Sequence, residues 1–128
     1  AGHRFSYYRA GSAASRVTSA ELPFDRIADA RALHVSGISQ AISESCADAV
    51  FAAMRHARES GTIVSYDTNL RLRLWPLDRA RAVIHAAAAL ADIVKPSLDD
   101  ARALTGRDDP DAICDVYLGL GPKIVALT

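Results

Sequence analysis

Gly61-Thr62-Ile63-Val64-Ser65-Tyr66-Asp67-Thr68-Asn69-Leu70-Arg71 changes character halfway along. Ile63 and Val64, opened by Gly61, read as a short buried strand. Asp67, Asn69 and Arg71 then deliver three strongly polar side chains within five positions. Upstream, apolar residues recur at helical spacing from Ala41 to Ser60 (Ile42, Cys46, Ala49, Val50, Ala53, Met54, Ala57), and Gly61 closes that helix. Downstream, the polar loop runs to Pro76, and Asp78 is the expected cap of a helix that passes through the alanine-rich segment to Leu90. Helix, buried strand, polar loop, helix is the unit from which parallel sheets covered by helices are built.

The same alternation extends in both directions. Ala32-Leu33-His34-Val35-Ser36-Gly37 reads as a strand and turn, with His34 expected as a hydrogen-bonded core residue. Asp92-Ile93-Val94 is another short strand, broken by Pro96. Ser97-Leu98-Asp99-Asp100 opens a helix, with Ser97 at the N-cap, an acid three residues on as in a capping box, and Gly106 as its stop. A helix from about Asp109 to Leu118 leads through Gly119-Leu120-Gly121-Pro122 into Lys123-Ile124-Val125-Ala126-Leu127-Thr128, which has the look of a central strand. The strands are short and nearly continuous in apolar character, which predicts burial on both faces. The fold class is α/β: a three-layer α-β-α arrangement around a mostly parallel sheet, residues 31–128 forming part of its core. At the other end, Arg4 to Arg9 alternates polar and aromatic residues as a half-exposed strand does, and the small residues Gly11 to Ser15 follow.

Composition narrows the function classes. At 128 residues the chain is long enough for one hydrophobic core and short for two domains. Fifteen basic residues balance fifteen acidic ones, so there is no electrostatic footprint for nucleic acid or an anionic membrane. The longest apolar run, Ala86 to Ala91, is far shorter than a membrane span, and no charged-then-apolar leader opens the chain. Cys46 and Cys114 fall in helices without metal-ligand spacing and are expected as reduced, partly buried thiols in a cytoplasmic protein. The chain begins at Ala1 and stops on what reads as a strand, so it is expected to be a piece of something longer.

Four polar segments fall at the carboxyl ends of the expected strands: Ser36-Gly37-Ile38-Ser39, Asp67 to Arg71, Lys95-Pro96-Ser97, and Thr128. In an open α/β sheet that edge is where ligands bind. Arg71 has the chemistry to grip a carboxylate or phosphate with two parallel hydrogen bonds, although its neighbours Arg73 and Arg79 fit an ordinary exposed basic surface equally well. Asp67 and Asn69 suit turns as well as ligands. Ser97 combines a cap with a place where a helix N-terminus attracts phosphate. Tyr7, Tyr8 and Arg9 would suit a polar-aromatic wall over a sugar-like ligand, or an ordinary edge strand. His56 and His85 have no partner at zinc spacing. No serine lies in a Gly-x-Ser-x-Gly elbow, and neither a dinucleotide glycine fingerprint nor a Walker loop is present.

Taken together, these motifs resemble a known family. Phe5-Ser6-Tyr7-Tyr8-Arg9-Ala10-Gly11-Ser12-Ala13-Ala14 is similar to the substrate strand of 2-keto-3-deoxygluconate kinases, members of the ribokinase-like (PfkB) sugar kinases. Leu33 to Ile38 resembles that family's strand and turn. Asp67-Thr68-Asn69-Leu70-Arg71 with Leu74-Trp75 resembles its Asp-x-Asn-x-Arg…Leu-Trp signature, and Lys95-Pro96-Ser97 through Leu104-Thr105-Gly106 its Pro-Ser, paired-acid and Leu-Thr-Gly segment. Val125 to Thr128 is similar to the strand leading into the nucleotide loop. The resemblance runs along essentially the whole chain but covers less than half of a family member.

It implies ATP- and Mg²⁺-dependent transfer of a phosphoryl group to the terminal hydroxyl of a keto-deoxy sugar acid. Tyr7, Tyr8, Arg9 and Arg71 would contact the sugar acid, Arg71 through its carboxylate. Asn69, Leu70 and Arg71 would border the nucleotide, Ser97 would lie near its phosphates, and Thr128 would begin the nucleotide loop. Asp100 stands where related kinases often carry the Glu of an Asn-x-x-Glu motif, a shorter acid at a metal and phosphate segment. The family's Gly-Ala-Gly-Asp stretch, with the catalytic base, does not occur in these residues, so this segment alone is not expected to turn over substrate. Residues 1–16 would supply a substrate or lid strand that can pair between subunits into a homo-oligomer. Fructokinase or ribokinase specificity is the nearest alternative, and a non-catalytic sugar- or nucleotide-binding module is the alternative of a different class.

Overall fold

The computed structural model describes residues 11–128. Two 3-10 turns, Ala14–Arg16 and Ser19–Glu21, precede α1 (Phe24–Asp29). The chain then runs through β1 (Ala32–Ser36), α2 (Gly37–Ala41), α3 (Glu44–Glu59), β2 (Ile63–Asp67), α4 (Leu77–Ala88), β3 (Ile93–Lys95), α5 (Leu98–Thr105), α6 (Pro110–Leu120) and β4 (Ile124–Val125). The expected strand Arg4 to Arg9 lies outside the described residues.

Local chemistry sets most of these boundaries. Ser43 caps α3 by accepting from Cys46 N at 3.2 Å, and Gly61 follows the helix in the left-handed region at φ 77. Ser97 caps α5, which ends at Gly106 with φ 69. Asp109 caps α6 by accepting from Ala112 N at 3.0 Å, with Pro110 in the first turn, where its missing N–H has no helical acceptor to serve. Two expectations are corrected. The apolar run from Ala41 is not one helix: Ser43 takes an extended conformation (φ −165) to cap α3, and a separate short helix, α2, precedes it. Asp78 does not cap α4 either. The helix begins one residue earlier, after Pro76, and Asp78 lies in its first turn, 3.5 Å from Arg81.

The four strands are all parallel in the order β1-β2-β3-β4. Right-handed crossovers between strands in consecutive order put the connecting helices on one face of the sheet. Burial follows that rule. Leu33 pairs with Val64, and Tyr66 with Val94, on the covered face; Val64, Tyr66 and Val94 have no exposed surface. Alternate residues face the other way, where Ile63 is 48 % and Ile124 54 % exposed. The expectation of burial on both faces therefore fails among the described residues, which supply the sheet and one helical layer. His34 is corrected for the same reason: it stands exposed on the open face, 3.0 Å through Nδ1 from Ser65 Oγ. The segment read as a central strand is two residues long and lies at the end of the strand order described.

The covered face carries the core. Met54 of α3, Ile84 of α4, Leu104 of α5, and Ile113 and Tyr117 of α6 pack with Tyr66 and Val94, all fully buried. Each such aliphatic side chain contributes roughly 1.5–3 kcal/mol through burial. Ala80, Ala87 and Ala88 give α4 a smooth buried stripe beside Ile84. Cys46 is buried, its thiol donating to Ala14 O at 3.0 Å, and both Cys46 and Cys114 are free. No helix among the described residues is long and apolar enough to cross a membrane.

Candidate functional site at the carboxyl edge of the sheet

Parallel register delivers Ser36, Asp67 and Lys95 to one row, so the loops that follow them share an edge. After β1, Ser36 turns the chain into α2 and its Oγ accepts from Ile38 N at 3.2 Å. Gly37 comes so close to the next loop that a Cβ there would lie 2.2 Å from Thr68 O. After β2, Asp67 Oδ1 accepts from Asn69 N at 3.2 Å, an Asx turn, and Asp67 Oδ2 lies 3.6 Å from Lys95 Nζ. Asn69 stands at φ 36, a left-handed conformation that Asn adopts more readily than most residues, and donates from Nδ2 to Ser36 Oγ at 3.0 Å.

Beyond that turn, Leu70 is buried, and its backbone N–H donates to Asp100 Oδ2 at 3.0 Å. Arg71 is half-buried. Its Nη1 donates to Leu70 O at 2.9 Å, and its guanidinium meets no carboxylate among the described residues. After β3, Ser97 Oγ accepts from Asp100 N at 3.1 Å. The Pro96–Leu98 backbone brackets Thr128: Thr128 N donates to Pro96 O at 3.0 Å, and Leu98 N donates to Thr128 O at 2.7 Å.

The structure therefore brings Asn69, Leu70, Arg71, Ser97, Asp100 and Thr128 to one edge, as the strand readings required. Tyr7, Tyr8 and Arg9 lie outside the described residues. Beneath the edge, the Tyr66 hydroxyl donates to Gln40 Oε1 at 2.5 Å, both side chains buried. Burial first, then Tyr117 and Asp67, hold the Tyr66 phenol well above its ordinary value, so it is a neutral donor. Burial and then Asp100 raise the Tyr117 phenol likewise. Among the described residues no group of three or more His, Cys, Asp or Glu gathers as a metal cluster.

Sequence reasoning missed three of these contacts. A lone glycine after a strand hints at close approach, which is the only local signal for Gly37. The Gln40–Tyr66 bond leaves no signal. Asp100 was expected to turn back to Ser97 in a capping box, and its carboxylate instead accepts from Leu70, thirty residues away. Chemically, the edge offers a guanidinium, an exposed ammonium on Lys95 and the N-terminus of α5, a set suited to anions.

A polar edge of this kind, at the strand ends of a parallel sheet, lies where open α/β proteins as a class bind their ligands. Comparison with known proteins makes the class specific. The profile of the pfkB family carbohydrate kinases matches residues 2–128, and the chain belongs to that family. It is 41% identical over 124 residues to the 2-dehydro-3-deoxygluconokinase of Bacillus subtilis (strain 168), an alignment covering 95% of this chain and 38% of that protein. It is 43% identical over 107 residues to the probable chloroplastic fructokinase-6 of Arabidopsis thaliana, covering 83% of this chain and 28% of the relative. In structure it resembles a PfkB protein from Polaromonas sp. JS666, with TM-score 0.90 and 37% identity over 95% of this chain and 42% of that one. The chain thus spans well under half the length of the proteins it matches, and its fold is that of a ribokinase-like kinase over that part.

Proposed function

We propose that the chain is the central part of a cytoplasmic, ATP-dependent kinase that phosphorylates 2-keto-3-deoxygluconate at its terminal hydroxyl. The observation that carries this reading is Arg71: a half-buried guanidinium at the ligand edge, held through Leu70 O and without a carboxylate partner among the described residues. A sugar acid would supply that partner, taking two parallel N–H donors in a geometry that a lysine does not reproduce. Tyr7, Tyr8 and Arg9 would complete the acid's surroundings. Asn69 and Leu70 would border the nucleotide, and Thr128 would open its loop.

Ser97 and the N-terminus of α5, with Lys95 beside them, form the part of the edge suited to phosphate. When bound, ATP with Mg²⁺ supplies the phosphoryl group. What these residues do is hold charge and position: Arg71 orients the acceptor, and the α5 terminus offers its positive end to phosphate oxygens. The base that takes the hydroxyl proton would come from outside these residues. A homo-oligomer paired through residues 1–16 belongs to the same reading.

Fructokinase specificity is the second reading, favoured by the 43% identity to a plant fructokinase. ADP release by the full-length protein with Mg²⁺, offered 2-keto-3-deoxygluconate, fructose and ribose, separates the two. Turnover of the sugar acid alone, reduced about tenfold or more by Arg71→Lys, is expected. Turnover of fructose with no dependence on Arg71 would overturn the sugar-acid assignment and leave a neutral-sugar kinase. Turnover of none would favour a non-catalytic binding module.

A further inference from the structure

Resting on that reading, we infer that Asp100 is a positioning residue for Arg71, acting through the Leu70 peptide. Leu70 is 8% exposed, and Asp100 is the partner of its N–H in a part-buried hydrogen bond that would otherwise be lost. The residue before it, Asn69, is the one non-glycine residue at positive φ among those described, which turns the backbone away from the ladder with β3. No strand partner is then available for Leu70 N, and the carboxylate from the first turn of α5 takes that place at 3.0 Å.

The other side of the same residue holds Arg71, whose Nη1 donates to Leu70 O at 2.9 Å. Leu70 is thus gripped at its N–H by Asp100 and at its C=O by the guanidinium it orients. Asp100 is itself fixed, because its own N–H donates to the Ser97 cap at 3.1 Å. Across from it stands Tyr117, fully buried and near enough that the Asp100 charge helps hold its phenol neutral. The nearby Asp67 is engaged separately, by Lys95 and by the Asn69 backbone.

The test uses the full-length protein with Asp100→Asn and Asp100→Ala, reading amide exchange at Leu70, the KM for the sugar acid and the Mg²⁺ concentration for half-maximal rate. Asn keeps an acceptor oxygen in place, so Asp100→Asn is expected to keep Leu70 protection, with KM and Mg²⁺ dependence within about twofold of the parent. Asp100→Ala is expected to speed Leu70 exchange and raise KM for the sugar acid by about tenfold or more, leaving the Mg²⁺ dependence unchanged. Unaltered Leu70 exchange in Asp100→Ala would overturn the inference, as would a tenfold rise in the Mg²⁺ requirement of Asp100→Asn with Leu70 still protected. If the parent protein phosphorylates none of the sugars, the kinase reading fails by that observation, and Leu70 exchange still decides whether Asp100 holds the loop.

Discussion

Asn69 and Ser36, thirty-three residues apart in sequence, meet through a 3.0 Å hydrogen bond from Nδ2 to Oγ, and this bond ties the turn after β1 to the loop after β2. It is also what makes the unusual backbone at Asn69 worth adopting: the side chain gains a partner where φ is 36. Asn69→Ala loses both the bond and the residue type that tolerates this conformation, and is expected to destabilise by about 1–2 kcal/mol. Asn69→Gly loses only the bond and should recover about 1 kcal/mol of that difference. Urea unfolding of the parent and both variants, at constant m, measures the two terms.

Gly37 and Gly119 predict opposite outcomes from the same substitution. A Cβ at 37 would meet Thr68 O at 2.2 Å, so Gly37→Ala must push the β1 turn away from the Asp67–Arg71 loop. A loss of about 1–3 kcal/mol is expected, with reduced turnover in the full-length protein. At Gly119, near the end of α6, a Cβ meets nothing within 4 Å, and Gly119→Ala should stabilise by about 0.5–1 kcal/mol. Thermal melts of the two variants side by side test the contrast.

Ser97 has two roles that substitution can separate. Ser97→Ala removes the cap that receives Asp100 N and should cost about 1 kcal/mol. Ser97→Asp keeps a cap acceptor and therefore stability, yet sets a negative charge where phosphate is proposed to lie. Its KM for ATP is expected to rise while its melting temperature stays near the parent's. A melting curve and an ATP titration on each variant distinguish cap from phosphate contact.

His85 supplies the pH dependence. Burial first, then the Arg81 charge, lower its pKa below the ordinary 6.5, and its ring stands edge-on to Tyr117 at 5.5 Å. With the folded value below the unfolded one, the unfolded chain binds more protons as pH falls through 6.5, so this group's effect is absent well above that pH and destabilises increasingly below it. Stability should therefore fall more steeply in the parent than in His85→Gln between about pH 7.5 and about pH 5.5. Equal slopes in denaturant midpoint would show that His85 does not contribute.

Much of this architecture was legible from local patterns. Gly61, Gly106, Ser97 and Asp109 mark helix ends by their own conformational or capping preferences, and the alternation of elements implied a parallel sheet with its polar loops on one edge. The features that escaped depend on distance or on strand order. Ile42 continues the helical periodicity, so nothing nearby announces that Ser43 leaves the helix to cap α3. Pro76 displaces the start of α4 ahead of Asp78 because its ring fixes φ and needs no donor. His34 lies in an apolar strand, and its exposure follows from the side on which the crossovers run. The Asp100–Leu70 contact joins residues thirty positions apart, and the roles of Tyr7, Tyr8 and Arg9 rest on resemblance alone.

The isoleucines Ile63, Ile93 and Ile124, on the side of the sheet that no helix of the described residues covers, have a practical meaning for anyone handling this polypeptide. Ile93 pairs with Ile124 across two strands, and Ile63 and Ile124 are about half exposed. Purified as a 128-residue segment, the chain would present this oily stripe to its own copies. Its concentration limit in the test tube would then be set by sheet faces sticking together, while the polar edge at the strand ends stayed in water.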